Sequence, residues 1–318
     1  MASDPDRALG QTRAEIGEVM GAGHAGRIFG GVETGGTKCV CALGTDSGEL
    51  LARAEFATVD PARTIGEVVR FFRERPVPEA IGVGSFGPVE LDPASASWGC
   101  VTTTPKSGWR YASVAPAIAS ALGVPVAFDT DVGAAAYGEH TWGAGRGLAS
   151  VVYLTVGTGI GAGVVLGDQV WHGMLGPEVG HVRIPRACDD AYAGCCPFHG
   201  DCWEGLASGQ ALAGRLGCPA DELPDDDPVW ELETGYLAAG ILAITLTLSP
   251  HRVIVGGGVG GRPGLLERVR QQLRELVGDY HEALLLGEQI GAYLVAPALG
   301  ADAGVLGAIA LARDLDAG

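Results

Sequence analysis

A duplicated α/β fold of two domains is predicted by three observations. Apolar, β-prone runs alternate with segments of helical period, as in α/β proteins. The pattern then restarts: the runs 27–32 and 39–43 flank one glycine turn, and the runs 150–156 and 162–166 flank another. Finally, 318 residues, 47 % of them hydrophobic, suit about two domains with a core each. A duplicated fold of this kind is expected to hold its ligand in the cleft between the halves.

Taken in order, residues 1–26 are polar, dotted with glycine and without the apolar run of a secretory signal. They read as a flexible extension. The hairpin 27–43 follows, closed by Glu33-Thr34-Gly35-Gly36-Thr37-Lys38. Ile65, Val68, Val69 and Phe72 mark a helix by their i, i+3, i+4, i+7 spacing. A strand at 80–83 runs into Gly84-Ser85-Phe86-Gly87-Pro88, and a helix near 111–122 precedes a strand at 124–128. That strand ends at Asp129-Thr130-Asp131, where an alanine-rich helix begins. The second hairpin turns at Gly157-Thr158-Gly159-Ile160-Gly161. Helices at 228–248 and 264–277 bracket a strand, 252–255, that ends in Gly256-Gly257-Gly258. A strand at 292–295 and a helix at 302–315 complete the order. Domain boundaries are expected at 27–130 and 131–300, with the 301–318 helix packing back on the first domain.

Composition narrows the function. The net charge of −17 disfavours nucleic acid and anionic membrane surfaces as partners. The apolar stretch 236–248 is shorter than the ~20 residues that span a bilayer, so it reads as a buried helix. Eight cysteines without a signal sequence fit a cytoplasmic chain with free thiols or metal ligands. Glycine supplies 52 residues, against a usual share of roughly 7 %. It has no collagen period, so it is expected in turns and close-approach sites, with ordinary turns taking many of those that the ligand turns do not.

The glycine turns are candidate phosphate sites. The P-loop pattern fails because Thr37, not lysine, follows Gly36. Gly157, Gly159 and Ala162 match a dinucleotide pattern, but a strand rather than a helix follows. What remains is a nest of backbone amides beside the Thr37 and Thr158 hydroxyls and Lys38, or simply two tight hairpin turns. Gly256–Gly258 is a third candidate, where a base or ribose can lie against the backbone. Asp131, at the carboxyl end of a strand, is placed to accept a proton from a substrate hydroxyl, or else caps the helix. Asp129 lies on the same face and competes with it.

His181, Cys196, His199 and Cys202 form H-x14-C-x2-H-x2-C, a set suited to a closed tetrahedral Zn²⁺ site with a structural role. Cys195 competes with Cys196 by one register. Glu178 and Glu204 flank this loop and are hydroxyl acceptors or solvated acids.

The segments 31–38, 84–89, 129–132, 157–161, 178–181 and 196–205 together resemble the ROK sugar kinases, in the family's order and over nearly the whole chain from Arg27. Thr104-Pro105-Lys106-Ser107-Gly108-Trp109 and Cys196-Pro197-Phe198-His199-Gly200-Asp201-Cys202 resemble the bacterial fructokinase branch. The resemblance implies an actin-like (ribonuclease H-like) fold closing on MgATP and a hexose, and phosphorylation of fructose at its 6-hydroxyl with Asp131 as general base. It implies that Glu178, His181 and Glu204 hold sugar hydroxyls, with Gly87, Pro88 and Thr130 beside the sugar. It places ATP phosphates on the turns of Gly35, Gly36, Thr37, Lys38, Thr158 and Gly159, adenosine on Gly256–Gly258, Mg²⁺ near Glu33, and zinc on 181–202. It also implies a homodimer. The alternatives it leaves are a broader hexokinase acting on mannose or glucose, and a non-catalytic sugar-sensing protein. The family's repressors carry an N-terminal helix-turn-helix domain, for which residues 1–26 are too few. The sequence departs from the family at three positions, with Glu33 for a more frequent Asp, Thr130 for Asn, and Gly133 for Asn.

Overall fold

The computed structural model describes residues 26–174, 176–281 and 289–315. The extension expected over 1–26 lies, apart from Gly26, outside them. The chain divides into two units, residues 1–142 with 301–318, and residues 143–300.

In the first unit, β1 (Ile28–Thr34), β2 (Lys38–Thr45) and β3 (Leu50–Ala57) form an antiparallel meander, and β4 (Ile81–Ser85) and β5 (Val126–Thr130) add in parallel. The sheet order is β3-β2-β1-β4-β5. α1 (Pro61–Arg73) starts where Asp60 accepts from the Arg63 amide, and buries Val68, Val69, Phe71 and Phe72. It lies against β2 and α2 (Ala115–Leu122). α3 (Asp131–Thr141) follows β5 directly.

In the second unit, β6 (Ser150–Val156), β7 (Ile160–Leu166) and β8 (Gln169–Val170) repeat the antiparallel meander. β9 (Arg252–Gly256) and β10 (Leu294–Val295) add in parallel, giving β8-β7-β6-β9-β10. The two sheets therefore share one topology, three antiparallel strands and then two parallel, as the restarting pattern predicts. α4 (Trp203–Ala207), α5 (Gly209–Leu216), α6 (Val229–Leu248), α7 (Leu265–Val277) and the single turn α8 (Ile290–Tyr293) complete the unit. By length and composition α6 could cross a membrane, but 61 % of its apolar window is buried in the core of this unit, where its Leu237 and Ile241 cluster with Trp203 and Leu206.

The final helix, α9 (Ala303–Asp314), lies on β1, β4 and α3 of the first unit. Glycine makes the approach possible. A Cβ on Gly82 would stand 1.8 Å from the Ala308 carbonyl oxygen, and one on Gly307 1.7 Å from that of Ala134. These glycines are in a strand and a helix, and they are close-approach sites rather than turns. The first unit also extends through α3 to Trp142, twelve residues past the boundary read from sequence, because α3 packs on β4 and α9.

Candidate active site

In the first unit the glycine turn joining β1 and β2 is held through its carbonyls. The Thr58 hydroxyl donates to Gly35 O at 2.9 Å, the Lys106 ammonium to Gly36 O at 2.6 Å, and the Thr58 amide to Thr37 O at 2.9 Å. Gly35 N donates back to Lys38 O. The amides of Gly36 and Thr37 meet no acceptor among the described residues. A Cβ on Gly36 would touch nothing within 4 Å, so the fold itself does not demand glycine there. Such a turn offers donors to an anion and room for it to approach. Lys38 extends over β3 and pairs with Glu55 at 3.4 Å. Thr58 carries no signal in the sequence, and Lys106 stands in the motif quoted for the family resemblance without a role of its own.

Thr130, not Asp131, caps α3: its hydroxyl accepts from Gly133 N at 2.9 Å. Asp131 is thus the first helical residue, half-buried, with one carboxylate oxygen accepting from Val132 N. The helix-cap alternative for Asp131 falls to its neighbour. Asp129 is 2 % exposed and accepts from Thr130 N at 2.7 Å, so it serves the strand end. Glycine at 133 follows from that carboxylate, because a Cβ there would lie 2.1 Å from Asp129 Oδ1. β4 delivers Gly84 against the Asp131 backbone, and the Gly87–Pro88 peptide after it is cis.

Glu33, at the end of β1, packs against the first turn of α9, where a Cβ on Gly304 would overlap its carboxyl group. Its Oε2 is buried without a hydrogen-bond partner. Burial, then the charge of Asp131, raises its pKa to about 7. A buried, orphaned carboxylate oxygen beside a second carboxylate is a fitting place for a divalent cation.

In the second unit the turn after β6 repeats the arrangement. Gly209 N donates to Gly157 O at 2.7 Å and Gln210 N to Thr158 O at 3.3 Å, while the Thr158 and Gly159 amides find no acceptor among the described residues. Ile160 N donates to Glu204 Oε2 at 3.0 Å. Of Gly256–Gly258, the fold requires the first two. A Cβ on Gly256 would meet Tyr153 Oη at 2.4 Å, and Gly257 has φ +87°. Gly258 faces open space.

The ligand atoms of His181, Cys196, His199 and Cys202 lie within 4.8 Å of one another. Cys196 Sγ is 3.8 Å from both His181 Nδ1 and His199 Nδ1, and Cys202 Sγ is 3.6 Å from His181 Nδ1. A tetrahedral zinc with bonds of about 2.3 Å to sulfur and 2.0–2.1 Å to nitrogen has S···N edges of about 3.6 Å, so the donor set fits that ion. Cys195 stands outside the set, its amide bonded to Gly205 O. With Nδ1 turned to the thiols, His181 presents Nε2 elsewhere as a donor. Glu178 is exposed, and desolvation of its carboxyl with the neighbouring Glu204 charge raises its pKa against the pull of His181. The loop has a second anchor in Asp190, which accepts from Arg215, from Tyr236 Oη at 2.6 Å and from Tyr192 N at 3.0 Å. Burial opposes ionisation of Asp190, but these donors hold its pKa at about 2.

Two sheets of one topology, each opening on a glycine turn with unclaimed amides, together with a carboxylate at a strand end and a Cys/His loop, define the class: the chain belongs to the ROK family, whose pattern matches residues 29–315, and its fold is the actin-like fold of those kinases. Among its relatives, a fructokinase of Zymomonas mobilis is 39 % identical over 295 residues, covering 90 % of this chain and 96 % of the relative. A fructokinase of Pediococcus pentosaceus is 36 % identical over 286 residues, covering 90 % and 98 %. The crystal structure of a ROK family glucokinase from Streptomyces griseus with glucose and AMPPNP has a TM-score of 0.71 at 28 % identity, covering 90 % of this chain and 99 % of that one.

Proposed function

We propose that this chain is an ATP-dependent fructokinase that transfers the γ-phosphoryl group of ATP to the 6-hydroxyl of D-fructose. The observation that carries the reaction is Asp131, a carboxylate at the carboxyl end of β5 relieved of capping by Thr130. The choice of fructose rests on the similarity to proteins named fructokinase.

Asp131 takes the proton of the 6-hydroxyl as its oxygen attacks the γ-phosphorus, and the bond to the β-phosphate oxygen breaks to release ADP. Catalysis here is mainly positioning and charge stabilisation. The free amides of Gly36, Thr37, Thr158 and Gly159 hold phosphate oxygens, with the Thr37 and Thr158 hydroxyls as further donors, and Lys38 adds charge. Gly258 leaves room for adenosine beside Gly256 and Gly257. Glu178 and His181 Nε2 hold sugar hydroxyls, with the remaining oxygen of Glu204, while Gly87, Pro88 and Thr130 border the sugar. Glu33 is the protein's candidate ligand for Mg²⁺, which when bound neutralises charge on the phosphates. His181, Cys196, His199 and Cys202 hold a structural zinc that fixes the His181 ring.

The enzyme works as a cytoplasmic homodimer. Free cysteines support the compartment, and the exposed Leu166, Trp171 and Met174 on and after the β7–β8 hairpin support an apolar contact surface. Phosphorus-coupled NMR of the product from fructose and ATP tests the reaction. The expected product is phosphorylated at carbon 6, and phosphate at carbon 1 or unchanged fructose contradicts it.

A further inference from the structure

Chain neighbours of two of the four metal-site residues meet one residue of the second glycine turn. Gly180, next to His181, lies so close to Ile160 that a Cβ would stand 2.1 Å from the Ile160 carbonyl oxygen. On the other side, two residues after Cys202, Glu204 Oε2 accepts from the Ile160 amide at 3.0 Å. The same oxygen lies 2.5 Å from where a Cβ on Gly159 would stand, so the carboxylate is packed against the turn as well as bonded to it. The start of α4 is tied to the loop by Trp203 N donating to Val182 O at 2.9 Å. Drawing His181 and Cys202 onto one ion therefore closes a clamp on Ile160, on its carbonyl through Gly180 and on its amide through Glu204.

We propose that Glu204 is a positioning residue that fixes the second glycine turn, so that metal in the Cys/His set and nucleotide phosphate on the Thr158 and Gly159 amides bind cooperatively. The nucleotide half rests on the reading of that turn as a phosphate site. Holding the Ile160 amide keeps the two preceding amides aimed outward, and an anion then need not order them. A hydrogen bond to a charged acceptor is enough to change affinity by about tenfold or more. Glu204 thus links the metal loop to the turn without itself touching the phosphate.

The test uses the full chain, loaded with zinc or stripped by a chelator, as wild type, Glu204→Ala and Glu204→Gln. Two quantities are read without sugar: hydrogen exchange of the Ile160 amide without nucleotide, and calorimetric affinity for AMPPNP with Mg²⁺. Stripping wild type is expected to speed exchange and to weaken AMPPNP about tenfold. Zinc-loaded Glu204→Ala is expected to reproduce both changes, with stripping adding less than about twofold to its loss, because the two perturbations act through one contact. Glu204→Gln keeps an acceptor oxygen and is expected to stay close to wild type. If Glu204→Ala does not fold, Glu204→Asp decides, since it draws the carboxylate back from the Ile160 amide and leaves the turn and all four metal-site residues unchanged. Wild-type exchange in zinc-loaded Glu204→Ala, or losses from stripping and substitution that multiply, overturn the proposal. An exchange response in a protein that binds no AMPPNP overturns the phosphate reading and the cooperativity built on it, while leaving the Glu204–Ile160 link.

Discussion

Asp131 and Thr130 divide two tasks that one residue could have held. Thr130 satisfies the first turn of α3 by accepting from Gly133 N, and the Asp131 carboxylate accepts from Val132 N. The sequence leaves this undecided, because aspartate and threonine both cap helices and only the φ/ψ path at the strand end selects between them. Removing a general base costs about 10²–10⁴ in rate, or roughly 3–5 kcal/mol. Asp131→Asn is therefore expected to keep the fold and sugar binding while losing at least a hundredfold in kcat, measured by coupled ADP release; near-normal turnover removes Asp131 from the role. Glu33 makes a different case. The folded chain keeps its proton up to about pH 7, against 4.5 for the ordinary group. Between those values the native state binds more protons than the unfolded one. Stability from this group is thus complete below about pH 4.5 and lost as pH rises through 7. Glu33→Gln has no such titration. In magnesium-free urea unfolding, its advantage over wild type is expected to grow by about 2–3 kcal/mol from pH 4.5 to 8. A gap constant with pH contradicts the burial of this carboxyl.

At the scale of elements, legibility followed locality. The Cys/His loop is readable because three candidate ligands fall within seven residues, and the geometry brings the same four side chains together. β3 goes unread from sequence although Ala52, Ala54 and Phe56 alternate with Arg53 and Glu55, since its alanines give a weak apolar signal. α4 and α5 are short and cannot show a helical period. Gly82 under α9 is legible only as part of an excess, because what it accommodates is a helix more than two hundred residues away in the chain. Its role is testable. Gly82→Ala forces a methyl group against the Ala308 carbonyl and is expected to destabilise the first unit by about 1–3 kcal/mol or more in chemical unfolding. An unchanged midpoint shows that α9 can shift away at no cost.

At the scale of the whole molecule, the duplication is the strongest message of the sequence, because each glycine hairpin is local and each opens a sheet of the same order. The division between units is misplaced by twelve residues because α3 belongs to the first unit through packing on β4 and α9, which no run of residues announces. Glu178 is legible by position as a candidate hydroxyl acceptor, whereas the bond from the Ile160 amide to Glu204 emerges only from the fold. The repeated turns and the single base carry one central claim: this chain moves a phosphoryl group from ATP to fructose. Initial rates of ADP release with ATP and fructose, mannose, glucose or N-acetylated hexosamines test it most directly. Sugar-dependent release is expected, with kcat/KM highest for fructose by about tenfold or more over the other hexoses. ADP release no faster with fructose than without sugar, or faster with another hexose, contradicts it.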